Sequence, residues 1–282
     1  TFGLAWSMIG LLILFPGQIE SIFGELSASN PLFILAVYSP AIAAFVLVTR
    51  YAGLSGLRRY LSRLLLWRVH WGWYLFLVAG VPILFFAGAA LKGNLTGWAF
   101  PFTTWQATAA ALGFMLVLGP IEEFGWRGFA LPLLQRRFAP IWAGLVLGVI
   151  WGVWHLPAFF LSGLPQSAWS FTPFLIGSIA VGVIVTPLFN SSRGSILLPL
   201  LLHWQLNNPI FPDAAPHDTA FFVAAAIVVT ILSRRTMFDV GEGVTEVIPM
   251  STVDPQDNAP ETVGSARGDA TSSWRGHADA VE

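Results

Sequence analysis

No cysteine occurs anywhere in the 282 residues, which excludes disulfides, a thiolate nucleophile and cysteine-ligated zinc in one step. Charge is almost as scarce, at 10% of residues, against about a quarter in soluble domains. That supply cannot coat a globule of this size with polar surface. What replaces it is apolar: 55% of residues are hydrophobic, with 13 Trp and 23 Phe, and the mean hydropathy is +0.70. The chain reads as a multi-pass cell-membrane protein whose surroundings are the lipid bilayer, and no nucleic-acid partner is expected. Lysine is nearly missing too. A ratio of 13 Arg to 1 Lys, with frequent Ala, Gly and Trp, points to a GC-rich bacterial genome.

Apolar runs of about 17–25 residues mark spanning helices. They fall at about 2–19, 31–49, 71–91, 107–135, 140–161, 173–190, 196–209 and 219–233. The fold class expected is therefore all-α, a polytopic bundle of about eight transmembrane helices over residues 1–238. Pro16, Pro40, Pro82, Pro120, Pro132 and Pro187 interrupt these runs, which membranes tolerate where packing or water satisfies the freed backbone. The chain starts at Thr1 with neither Met nor a basic region, so a missing or processed beginning is expected and a signal peptide is not evident.

Basic residues collect in alternate connections: Arg50 to Arg68, then Arg136 and Arg137, then Arg193, then Arg234 and Arg235. Short basic loops stay in the cytoplasm, so both termini are expected there, with Lys92 the one basic residue outside. The stretch 54–68, "LSGLRRYLSRLLLWR", has Arg and Leu at helical spacing, consistent with an amphipathic surface helix or with a plain basic loop. From Asp239 the composition turns polar, and residues 239–282 are expected to form a disordered cytoplasmic tail.

Ionisable groups at membrane depth are costly and mark function. Three places qualify: Glu122 with Glu123 and Arg127, then His155, then His203 with Asn207. At a rise of 1.5 Å per residue, Glu122 lies about 21 Å from Arg136, His155 about 22 Å from Pro140 and His203 about 15 Å from Arg193, comparable depths from one face. Around a helix Arg127 lies close to Glu123 and far from Glu122, so Arg127 is expected to pair with Glu123 and leave Glu122 available for chemistry. His203 and Asn207, four apart, share a face. Gly144, Gly148 and Gly152, also four apart, should let another helix approach closely beside His155.

Glu122 to Arg127 resembles the EExxxR motif, Trp151 to His155 the FxxxH motif and His203 to Asn207 the HxxxN motif of the CAAX-prenyl-protease and bacteriocin-processing (CPBP, or ABI) intramembrane proteases. Order and spacing fit over about residues 107–210, with Trp151 standing where Phe is usual. The resemblance implies an endopeptidase acting on a membrane-associated peptide or protein. Glu122 would activate a water that His155 helps to hold, His203 and Asn207 would stabilise the oxyanion, and Glu123 and Arg127 would brace the base. The family is commonly classed as metalloprotease, and Glu122, His155 and His203 would supply a carboxylate and two imidazoles for a divalent metal such as zinc. A metal-free water fits as well.

Other protease classes fit less well, since no HExxH or GxGD motif lies in a span and no Gly-x-Ser nucleophile loop is visible beside a membrane histidine. A different class of reading stays open. The same polar cluster could serve a non-proteolytic binding, immunity or transport protein, because intramembrane Glu and His also relay protons.

Overall fold

The computed structural model describes residues 1–249, and every regular element among them is helical. Nine segments carry the fold. They are α1 Phe2–Leu14, α2 Pro16–Phe23, α3 Pro31–Leu65, α4 Trp71–Lys92, α5 Trp105–Gln135, α6 Pro140–Phe160, α7 Phe171–Ser191, α8 Leu197–Leu206 and α9 Asp218–Leu232. Five of these, α3 to α7, are long and apolar enough to cross a membrane among the described residues, or six crossings if α1 and α2 count as one bent span. The expected eight full spans are therefore not reached. The two remaining segments, α8 and α9, are apolar helices of 10 and 15 residues.

The first expected span is broken because Pro16 has no N–H to continue the ladder and its ring pushes the preceding residue off helical geometry. Phe15 accordingly sits at φ −131°, ψ 50°, and α1 meets α2 at 103°. Helix α3 starts on Pro31, with the Asn30 side chain accepting the Leu32 N–H at 3.0 Å. It kinks at Gly53, whose φ of 63° suits a residue without Cβ, and then continues. The stretch expected to lie on the surface has one inward face, with Tyr60 and Arg63 buried, while Leu54, Leu65 and Trp67 stay exposed.

Helix α6 crosses α7 closely. A methyl group on Gly144 would lie 2.6 Å from Thr186 Oγ1, one on Gly148 2.6 Å from Ile179 Cα, and one on Gly152 2.6 Å from Leu175 Cδ1. The expected glycine face is there, and it lets the two backbones nearly touch.

The expected tail does not begin at Asp239. Residues 243–248 lie against the helices: Val244 exchanges hydrogen bonds with Gln135 and Asn190, the Thr245 carbonyl takes Arg136 Nε at 2.9 Å, and Val247 is buried. Three apolar residues, Val244, Val247 and Ile248, supply the burial that a solvated tail lacks. The rest of that expectation, residues 250–282, lies outside the described residues.

Candidate active site

Helix α5 carries the acidic pair where its pitch changes. It runs as an α-helix to Leu118, tightens to a 3-10 turn over Pro120–Glu122, makes one α turn over Glu123–Gly125 and widens to a π turn over Trp126–Ala130. Pro120 and Pro132, which cannot donate to the ladder, bracket these changes. Such irregular turns cluster at functional sites. Gly125 permits the turn to press on α3, because a methyl group there would overlap Pro40.

Glu122 and Glu123, one apart, face different partners. Glu122 is 3% exposed, and its Oε2 accepts Trp151 Nε1–H at 2.9 Å and Trp126 Nε1–H at 3.2 Å. Glu123 is 1% exposed, and its Oε1 accepts Arg127 Nη1–H at 2.8 Å, the i,i+4 pair expected from helical angle. The same oxygen lies 2.7 Å from His203 Nδ1. That bond joins residues 80 apart and was not foreseen. It assigns the Nδ1 proton of His203 to Glu123 and turns Nε2 the other way.

Trp151 is the centre of the cluster. Its indole N–H serves Glu122, its face takes the Arg127 guanidinium 4.8 Å from the ring centre, and His203 and His155 meet it edge-on at 5.3 and 5.2 Å. A phenylalanine could make the ring contacts but not the hydrogen bond. The substitution relative to the family motif therefore adds a donor.

His203 and Asn207 converge on Gly119. A methyl group there would overlap Asn207 Nδ2 and lie 3.1 Å from His203 Nε2, so the missing side chain lets the Asn207 amide pack directly on Gly119 beside His203 Nε2. Trp204 Nε1, donating to the Leu112 carbonyl at 3.0 Å, ties α8 to α5 beside it. His155 stands further off. It is half-buried, its Nδ1 donates to the Trp151 carbonyl at 2.8 Å, and its ring packs edge-on against Trp154 and Phe174. Among the described residues no hydrogen bond joins it to Glu122 or His203, and it reaches the cluster through Trp151.

The expected metal set was Glu122, His155 and His203. Among the described residues no three histidine or acidic side chains stand close enough to hold a metal ion, so these three do not form such a group in this arrangement. Two residues that sequence reasoning passed over belong here: Trp126, inside the first motif, and Gly119, just before it. The aromatic at 126 is four residues after Glu122, a helical neighbour, and that spacing is the signal that identifies it.

Residues 103–208 match the family model described as Type II CAAX prenyl endopeptidase Rce1-like. Over 166 residues the chain is 31% identical to a protein of Methanococcus maripaludis named CAAX prenyl protease 2. The overlap covers 54% of this chain and 59% of that relative, so the chain spans less than two thirds of the relative's length. The matched segment contains all three motifs, and the resemblance read from them is borne out.

Proposed function

The motif-bearing segment is related to the CAAX prenyl proteases of the CPBP family, and on that premise we propose that the protein is an intramembrane endopeptidase that hydrolyses a peptide bond of a membrane-associated peptide or protein. The observation that carries the reading is the separation of the two glutamates: Glu123 is committed to Arg127 and His203, while Glu122 accepts only from two neutral indoles.

Glu122 is the general base. With Oε2 held by Trp126 and Trp151, its Oε1 accepts from no side chain among the described residues and takes a proton from the attacking water. Attack on the scissile carbonyl develops negative charge on oxygen, and His203 Nε2 and Asn207 Nδ2, brought side by side at Gly119, are the donors that receive it. Glu123 fixes the His203 ring and supplies the counter-charge when both ring nitrogens carry protons. His155 Nε2, left free by the bond at Nδ1, helps to hold the water. Collapse of the tetrahedral intermediate returns the proton from Glu122 to the leaving amine, so the protein ends unchanged. These steps need only water. The arginines at 136, 193 and 234 support a cytoplasmic position for those helix ends.

The test is cleavage of a membrane-delivered peptide by purified protein. Glu122→Ala should abolish cleavage while the protein stays folded, and His203→Ala should come close. Parent-rate cleavage by Glu122→Ala would sink the mechanism.

A further inference from the structure

The Arg- and Leu-rich stretch at the end of α3 has no part in the chemistry above, yet it holds the most completely buried cation outside the site. Arg63 is 1% exposed. Its Nε donates to the Gly194 carbonyl at 2.7 Å, and its Nη1 donates to the Gly128 carbonyl at 2.8 Å and to the Val247 carbonyl at 2.8 Å. These acceptors come from three separate parts of the chain. Gly128 follows Arg127 in the π turn, Gly194 lies in the turn that leads into the His203 helix, and Val247 belongs to the C-terminal strap. Three residues earlier Tyr60 donates to the Phe124 carbonyl, directly after the glutamate pair. One helix end therefore grips main-chain carbonyls within both segments that carry the facing halves of the site.

The third corner has its own seat. Gln135 and Asn190 bond each other reciprocally at 3.0 and 2.7 Å, and the pair offers Val244 a donor for its carbonyl at 2.8 Å and an acceptor for its N–H at 3.1 Å. Arg136 takes the Thr245 carbonyl, and the Val247 side chain enters the cluster of Tyr60, Phe124 and Ile196. The bonds to Val244 and Thr245 read the backbone of the strap, as in recognition of an extended peptide. A methyl group on Gly194 would lie 2.9 Å from Arg63 Nη2 and 3.1 Å from Val244 Cγ1, so cation, turn and strap meet without room to spare.

We propose that Arg63 is a positioning residue for the candidate site, and that residues 243–248 complete its grip and so hold the Glu122 turn and the His203 helix in register. With the strap away, Arg63 keeps two of its three acceptors, and a buried cation short of an acceptor draws in water or shifts. Either change moves Gly128 against Gly194, and with them the base against the His203 and Asn207 donors. This inference rests on the proteolytic reading, and its test separates the two.

The full chain carrying Val244→Pro and Val247→Asp loses the N–H that Asn190 accepts and places a charge in the apolar cluster. Expected is a fall in kcat of about tenfold or more with KM within about twofold, because substrate binding is spared and only geometry is lost. Hydrogen exchange should quicken at residues 124–131 and 194–199. A synthetic peptide of residues 243–249 added in trans should bind this variant and restore kcat, and it should fail to do so when Arg63→Ala is also present. Thr245→Ala, which keeps the backbone carbonyl, should behave as the parent.

An undocked strap with parent kcat and parent exchange at both segments overturns the proposal, even if thermal stability falls. If the double variant does not fold, the full chain with Arg63→Lys decides by the same two readouts, since one ammonium cannot match a planar guanidinium facing three carbonyls. If the parent itself shows no proteolysis, peptide binding and exchange still decide the strap proposal while the enzymatic reading fails alone.

Discussion

The indole of Trp151 donates to Glu122 Oε2 at 2.9 Å while its opposite relationship, ring face to Arg127 at 4.8 Å, ties it to the neighbouring ion pair. Trp151→Phe keeps the ring and removes the hydrogen. A hydrogen bond to a charged group is worth roughly 1.5–3 kcal/mol, so kcat should fall by about tenfold, softened by the second indole at Trp126. Melting temperature should stay near the parent value. Equal loss in Trp151→Phe and Trp151→Ala would mean that the ring alone matters.

Gly119→Ala offers a sharper cut. The added methyl would overlap Asn207 Nδ2 and so push that amide away from its place beside His203, with both donor side chains still present. Loss of an oxyanion donor typically costs about 100- to 1,000-fold in kcat, and an effect of that order is expected here with KM little changed. Unchanged turnover in a folded Gly119→Ala protein would remove the oxyanion role from this place.

Glu123 and Arg127 are both 1% exposed, so each is the other's compensation. Removing one partner of such a buried pair costs about 3–5 kcal/mol, and Arg127→Ala should destabilise the protein in detergent by that order in a denaturation curve. Glu123→Gln should also release His203 from its fixed orientation, and kcat should fall with stability. A double-mutant cycle on Arg127 and Glu123 should return a coupling of at least about 1 kcal/mol.

The metal question has a direct measurement. Elemental analysis of the purified protein, paired with activity after chelation, should show full turnover in metal-free protein if water alone is activated. Stoichiometric zinc lost together with activity would redirect the mechanism.

Much of the site was legible because its parts are local. The Glu123–Arg127 pair follows from four-residue spacing on one helix, and the close α6–α7 crossing follows from Gly144, Gly148 and Gly152. The Glu123–His203 bond joins residues 80 apart, and nothing in a helical period reports which oxygen a distant histidine will reach. Arg63 was hidden for a related reason. An arginine between leucines reads as a surface cation until the chain brings three carbonyls to it, and those come from residues 128, 194 and 247. The strap failed as a sequence expectation because composition averages over windows. Val244, Val247 and Ile248, which pack against the helices, are outvoted by the polar residues that follow. The count of eight spans is not reached because α8 and α9 are short and because at Phe15 apolarity continues while the backbone turns through 103°.

Helix α8 has ten residues, so its axis is about 15 Å long, half of a hydrocarbon core of roughly 30 Å. Its last turn carries His203, and the irregular chain 207–217 that follows begins with Asn207. Loose backbone at such depth has to be sheathed by protein or wetted from one leaflet. The proposed hydrolysis needs a supply line for water, and a helix too short to cross that thickness leaves room for one. Turnover should then respond to the thickness of the bilayer around the protein, because thicker lipid lengthens that water column and thinner lipid shortens it.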